Sequence, residues 1–488
     1  SLTSGPVPCV LLVFLRTARS VISLFQKFMM NISVQNMLYI VLVALFALFT
    51  PSRQTCPSLQ DKPLILTPYI TENKIDEAQN LSFIPDLPGN VTGYSGFLTV
   101  NKTYDSNLYF VYFPVTQGNP TESPTLLWLQ GGPGASSLFG LFEEIGPITV
   151  SSKLKLKRTL YHWTSFHNVL YIDNPAGAGF SYTCQDQGYA RGQEDVARDL
   201  YEALTQFFKL FPNVKQTPFY VTGESYAGKY VPAITRQIHL ENPTAEVKIN
   251  LKGMAIGNGL SDPETMLDQS DFLYSIGLFD NQARQIYHEA MVKVTELIHQ
   301  EKWLEAFNAW DPYLNGDIFP YQTFFTNVTG YTNYFNYLHP QSYIKEYYSD
   351  YLKTDQARSQ FHFGNLNMSS GRTVEMHLLE DMTKSVKPWV QEILDAGYQV
   401  LYYSGSLDII VATPTTDRFL QTLQWKHAAQ FNNATRNIFR LKKKVVGYWK
   451  KVENLCFVIV RNSGHMVPHD QPTVALDMIT RFTRNKSF

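Results

Sequence analysis

TPFYVTGESYAGKYVP, residues Thr217–Pro232, holds a serine between two glycines, and the residue pattern changes across it. Before Ser225, FYVTG has the length and the aromatic and β-branched make-up of a buried strand; after it, Tyr230, Ile234 and Ile238 recur at helical spacing. Strand, sharp turn and helix, with Gly223 and Gly228 allowing close packing, form the setting of a nucleophile elbow. G-x-S-x-G alone is a weak signal, since a serine in any tight turn produces it. The surrounding chain must therefore supply the partners.

Outward from the elbow, short apolar runs repeatedly end in glycine, proline or a polar turn: LWLQGGPGASS (Leu127–Ser137), HNVLYIDNPAGAG (His167–Gly179), LKGMAIGNG (Leu251–Gly259), VLYYSGSLD (Val400–Asp408) and CFVIVRNSGH (Cys456–His465). Such runs fit strands buried on both faces of a mostly parallel sheet. Gly93–Asn101 and Asn107–Val115 read as a β-hairpin. Between the runs, Glu194–Phe211 places Val196, Leu200, Leu204, Phe207 and Phe211 on one stripe, and Gln471–Phe482 reads as a helix with Pro472 in its first turn. The alternation predicts an α/β fold, a mostly parallel central sheet flanked by helices. From about Leu260 to Lys384 the pattern turns helical and aromatic, so residues 260–384 are expected as an insertion between core segments 61–259 and 385–488.

A serine hydroxyl needs a base, and the base needs an acid to hold its tautomer. In an elbow fold both follow the serine, acid first, at the ends of later strands. Asp408 and His465 occupy such positions in that order. His469, four residues on, is read as a solvated surface residue, and Asp417 falls in a polar stretch past its strand. The histidines His239, His288, His299, His339, His362, His377 and His427 lack a strand-end setting. The oxyanion donors are expected from backbone N–H groups of Tyr226, directly after the serine, and of Gly132 in the turn after an earlier strand. No histidine pair at metal-ligand spacing comes with supporting acids, so neither a metal nor another cofactor is expected.

The chain of 488 residues carries a formal net charge of −1, with 44% hydrophobic and 17% charged residues. That balance suits a globular enzyme and asks for neither nucleic acid nor an anionic membrane. MLYIVLVALFALF (Met37–Phe49) is short for a membrane span and suits the apolar region of a signal peptide, so residues 1–60 are read as leader. No stable membrane span is expected after its removal. N-x-S/T triplets at Asn80, Asn90, Asn101, Asn327, Asn367, Asn433 and Asn485 support the secretory pathway, with lysosomal or extracellular residence. Of Cys9, Cys56, Cys184 and Cys456, only the last two fall in the expected folded body, allowing at most one internal disulfide there.

WLQGGPGASS, FEEIGP, YIDNPAGAGFSY, TGESYAGKYVP, GNGLSDPE, SGSLD and SGHMVPHDQP, in this order, resemble the serine carboxypeptidase family from about Leu64 onwards. The resemblance implies an α/β-hydrolase fold with a helical cap insertion, and removal of C-terminal amino acids from peptides at acidic pH. It implies Ser225 as nucleophile, Asp408 as acid, His465 as base, and Gly132 and Tyr226 as oxyanion donors. Gln130, Glu144 and Glu224 would hold the free carboxylate of a peptide or protein C-terminus. Two residues depart from the family's usual pattern: Gln130 stands where asparagine is common and Ala135 where cysteine is common. Esterase or acyltransferase action on the same fold, and a non-catalytic protective binding role, are the competing functions. A homodimer is compatible with all of them.

A glutamate beside the nucleophile would oppose charge developing in the transition state if it were ionised. Placed against Glu144, however, Glu224 cannot easily ionise, and the pair should share a proton and titrate together. A protonated carboxyl donates a hydrogen bond, which a substrate carboxylate can accept. The competing reading makes Glu224 a hydrogen-bonded elbow residue and nothing more.

Overall fold

A computed structural model describes Cys56, residues 62–316, Ile318 and residues 321–488. The leader expected over 1–60, with its apolar run and Cys9, lies outside the described residues except for Cys56. The strands are β1 (Tyr94–Asn101), β2 (Ser106–Phe113), β3 (Thr125–Leu129), β4 (Ile148–Val150), β5 (Leu156–Arg158), β6 (Asn168–Ile172), β7 (Phe219–Glu224), β8 (Leu251–Gly257), β9 (Gln399–Gly405), β10 (Asn437–Leu441), β11 (Lys444–Val452) and β12 (Leu455–Val460). Among the described residues, one sheet of ten strands runs in the order β1-β2-β6-β3-β7-β8-β9-β12-β11-β10, and β4 pairs with β5.

The centre of that sheet, β6 through β12 in sheet order, is parallel, while β1, β2, β10 and β11 add antiparallel edges. Every residue of β3, β6 and β7 is buried, as expected of strands covered on both faces. Strand period then sorts the apolar residues between two layers. Leu127, Leu170, Val221 and Ile256 join one core with the helices α1 (Gln193–Leu210) and α2 (Ala227–Glu241). Leu126, Trp128, Tyr171 and Ala255 face the other, packed with Val474, Met478 and Phe482 of the C-terminal helix Pro472–Thr483.

Local chemistry explains the helices. The stripe Val196, Leu200, Leu204 and Phe207 is buried along α1, whose first turn carries Glu194 and Asp195 against the helix's positive end. Pro232 lies inside α2, where it removes the N–H that would bond the carbonyl of Gly228. Ser261 replaces it, its hydroxyl donating to that carbonyl at 2.8 Å. Between β8 and β9 the elements are all helical among the described residues, including α3 (Asn281–His299) and α4 (Trp303–Trp310). No helix among the described residues is long and apolar enough to cross a membrane.

Two features differ from the sequence reading. The hairpin β10–β11 was not expected: β10 is a largely exposed edge strand, so it lacks the apolar run that marks the central strands. Cys184 pairs with Cys56, across 128 residues, and among the described residues Cys456 is a free, buried thiol on β12. Cys56 therefore belongs with the folded body. The reason is geometric: Cys456 points into the core beneath the sheet, whereas Cys184 is only partly buried, where an incoming N-terminal segment can reach it.

Candidate active site

Ser225 sits between β7 and α2 with φ of 62°, a left-handed conformation that costs a non-glycine residue about 1–3 kcal/mol unless its surroundings impose it. The surroundings do so. Its N–H donates to the Gly257 carbonyl (3.1 Å), and its own carbonyl accepts from Gly228 (2.9 Å) and Leu260 (3.0 Å). Two glycines make room for this turn. A Cβ on Gly131 would lie 2.6 Å from both Ser225 Cβ and the Tyr226 nitrogen, and one on Gly228 would lie 2.6 Å from the Leu260 nitrogen.

Asp408 and His465, from the loops after β9 and β12, are brought together and buried. His465 Nδ1 lies 2.8 Å from Asp408 Oδ2. An ionised carboxylate only accepts, so Nδ1 is the donor and Nε2 keeps its lone pair. Among the described residues the buried Nε2 has no hydrogen-bond partner, and His465 lines the same cavity as Ser225. Asp408 is held in turn by Asn258, whose amide donates to Oδ2 (2.7 Å), and by the Ile410 N–H on Oδ1 (3.1 Å). Phe335 fixes the base from the other side: its carbonyl accepts from the His465 N–H (2.7 Å), and its ring lies 5.0 Å from the imidazole centroid.

The cavity has a volume of about 420 Å³ and is lined by Gln130, Gly132, Glu224, Ser225, Tyr226 and His465. A larger surface cleft, about 630 Å³, lies elsewhere, walled by Tyr94, Arg158 and Phe211, and contains none of these residues. Glu144 and Asp408 stand behind the cavity wall. Glu224 is wholly buried and Glu144 is 5% exposed. Both oxygens of Glu144 and Oε2 of Glu224 are buried, and Gln130 Nε2 donates to Glu224 Oε1 at 2.9 Å. Burial pushes the Glu144 carboxyl up to about 8. Burial, then the charge of Glu144, drives Glu224 well above the carboxylate range. Two carboxyl groups in this relation hold a proton between them at neutral pH. The Gln130 oxygen accepts from Trp128 Nε1 (3.0 Å), which sets the amide with its nitrogen towards Glu224.

Behind Tyr226 lies a second buried group that the sequence did not reveal. Asp381, from the short helix Leu379–Met382, pairs with Lys229 Nζ (2.8 Å) and accepts from the Tyr226 hydroxyl and from Gln193 Nε2 (2.7 Å). It ties the first turn of α2 to the segment before β9. Asn258 was also missed, although it follows β8 in GNG, a strand-end turn like those that carry the other site residues. Phe335 and Asp381 have no local signal, because their roles come from long-range packing.

The residues set aside as alternatives fall elsewhere. Asp417 bonds Gln421 Nε2 (2.7 Å) and approaches Lys450 at 3.8 Å. His239 lies on α2 with Nδ1 3.1 Å from the Tyr398 hydroxyl. His469 is half-buried rather than solvated, its Nδ1 donating to the Glu143 carbonyl (2.9 Å), because the helix Val467–Asp470 packs against Gly140–Ile145. Six of the glycosylation candidates, Asn80, Asn90, Asn327, Asn367, Asn433 and Asn485, are exposed, while Asn101 is half-buried and caps a turn through the N–H groups of Thr103 and Tyr104.

Known proteins resemble this chain in sequence and fold. Residues 85–485 match the family model described as serine carboxypeptidase. A probable serine carboxypeptidase CPVL of Homo sapiens is 47% identical, over 88% of this chain and 90% of the relative. The venom serine carboxypeptidase of Apis mellifera is 46% identical, over 90% and 95%. The vitellogenic carboxypeptidase of Aedes aegypti is 40% identical, over 88% and 91%. Among solved structures, the prohormone-processing carboxypeptidase Kex1(Δ)p of Saccharomyces cerevisiae superposes with a TM-score of 0.70 at 24% identity, over 82% of this chain and 93% of that one, and so shares the fold. The chain belongs to the serine carboxypeptidase family and is a serine-type peptidase of the α/β-hydrolase fold.

Proposed function

We propose that Ser225, His465 and Asp408 act as a catalytic triad that removes the C-terminal amino acid of peptides through an acyl-enzyme. Ser225 Oγ attacks the last peptide carbonyl while His465 Nε2 takes its proton, and Asp408 stabilises the imidazolium formed. The N–H groups of Gly132 and Tyr226 receive the oxyanion. His465 then protonates the leaving amine, and water resolves the acyl-enzyme by the same route in reverse. Residues 260–384 act as the cap over the cavity, to which Trp310, Asn315, Phe335 and Met382 contribute walls. The exposed sequons support a glycosylated enzyme of the secretory pathway, lysosomal or extracellular. Peptide and protein C-termini are its partners, and a homodimer is compatible with the arrangement.

The observation that carries this reading is the buried Glu144–Glu224 pair beside the nucleophile. An esterase gains nothing from a protonated carboxyl at that point, whereas an exopeptidase needs a donor for the terminal carboxylate. Gln130 Nε2 and the Glu224 carboxyl line the cavity and bind that group, and Glu144 supplies the charge that keeps the proton in place. Binding of free C-termini is then favoured at acidic pH and lost as the shared proton leaves, near pH 8 and above. The test is kcat/KM against pH for a peptide and its C-terminal amide, with wild type and Glu224→Gln. The free peptide should show a KM rise with pH that the amide lacks and that Glu224→Gln shifts; superimposable profiles for all four pairs would sink the idea. Labelling by a fluorophosphonate that persists in Ser225→Ala would remove Ser225 as nucleophile.

A further inference from the structure

We propose that Glu346 selects peptides ending in lysine or arginine, by pairing with the cationic side chain of the residue that is released. The inference rests on the reading above, in which Gln130 and Glu224 hold that residue's carboxylate. One Cα carries both the carboxylate and the side chain, so the pocket for the side chain must adjoin the carboxylate-binding groups.

The lining residue Phe139 leads into the short helix Gly140–Ile145, which stands behind the cavity and carries Glu143 and, beside Glu224, Glu144. Tyr348 stacks on Phe142 of this helix, centroids 5.5 Å apart at 14°, and lies 6.4 Å from Phe139. These contacts bring the segment 342–348 against the same end of the cavity, where Phe139, Ser342, Ile344, Glu346 and Tyr348 are all lining residues. Among the described residues, the cavity lining holds no lysine or arginine, and its carboxyl groups are Glu224 and Glu346. Glu224 keeps its proton, so Glu346 is the negative charge that a substrate side chain meets.

Two further observations fit a cation here. Glu143, half-buried on this helix, is pushed up to about 7 by burial and then by the charge of Glu346, so the field of Glu346 reaches the helix that carries Glu144. Among the described residues no lysine, arginine or histidine pairs with Glu346. Its neighbour Lys345 is exposed and does not line the cavity. Ile344, Phe139 and Tyr348 provide apolar surface for the methylene stem of a lysine or arginine, whose charged head then reaches the carboxylate.

The experiment measures kcat/KM for one peptide ending in lysine or in norleucine, its uncharged near-isostere, with wild type, Glu346→Gln and Glu346→Lys. Wild type should prefer lysine by up to about fivefold, the factor expected of a charge pair at an exposed carboxylate such as Glu346. The ratio should fall towards one in Glu346→Gln and invert in Glu346→Lys. A wild type without preference for lysine, or a ratio unmoved by both substitutions, overturns the role of Glu346 while leaving the peptidase reading intact. Failure to release either C-terminal residue overturns both.

Discussion

His465 Nδ1 lies 2.8 Å from an Asp408 carboxylate that Asn258 also holds, at 2.7 Å, and all three residues are buried. Both hydrogen bonds converge on Oδ2, so the acid has a fixed orientation and presents the imidazole in one tautomer.

Replacement of that acid by asparagine is expected to preserve the fold and destroy the tautomer. The amide can donate to Nδ1, which moves the ring proton to Nε2, where it blocks acceptance of the serine proton. In the Ser-His-Asp template the corresponding change lowers kcat about 10⁴-fold, and Asp408→Asn should approach that loss with an unchanged circular dichroism spectrum. Asn258→Ala should cost less, on the order of tenfold, since Asp408 keeps its bond from the Ile410 N–H.

The glutamate pair should make stability depend on pH. Both carboxyl groups hold their protons more tightly folded than unfolded, so the folded chain binds more protons once the pH exceeds the ordinary carboxyl range. Stability present at acidic pH is therefore lost as pH rises from about 4.5 towards about 8, the folded value of Glu144. Wild type should melt at a higher temperature at pH 5 than at pH 8, and Glu144→Gln should flatten that difference in scanning calorimetry.

The cysteines offer a covalent check. Under non-reducing digestion Cys56 and Cys184 should appear in one linked peptide, and Cys184→Ser should lower stability by about 2–4 kcal/mol. Cys456, with its thiol pushed up to about 12 by burial, should react with iodoacetamide only after unfolding.

The pair Lys229 and Asp381 is wholly inside the protein, so removal of one partner strands the other. Lys229→Met or Asp381→Asn should cost about 3–5 kcal/mol in denaturant melts, and the double substitution Lys229→Met with Asp381→Leu should cost less than the sum. Because the Tyr226 hydroxyl also bonds Asp381, the single variants should lower kcat as well.

The resemblance of seven motifs to one family was legible in the sequence, and so were the elbow at Ser225, the strand-end positions of Asp408 and His465, and the alternation of strands and helices. Each of these is written locally: a buried parallel strand is a continuous apolar run, and the turn that ends it needs small or polar residues. The edge hairpin β10–β11 was missed for the converse reason, since an exposed strand carries no such run.

Tertiary structure alone decided the rest. Cys56 joined Cys184 rather than leaving it to Cys456, because a buried thiol beneath the sheet is out of reach of a surface one. Asn258, Phe335 and Asp381 acquired their places around Ser225 from segments distant in sequence, and no local pattern encodes that proximity. Glu224 was readable as a carboxyl beside a serine; its proton was not. That depends on burial and on Glu144, eighty residues earlier in the chain, standing against it in a medium where two charges cannot both persist.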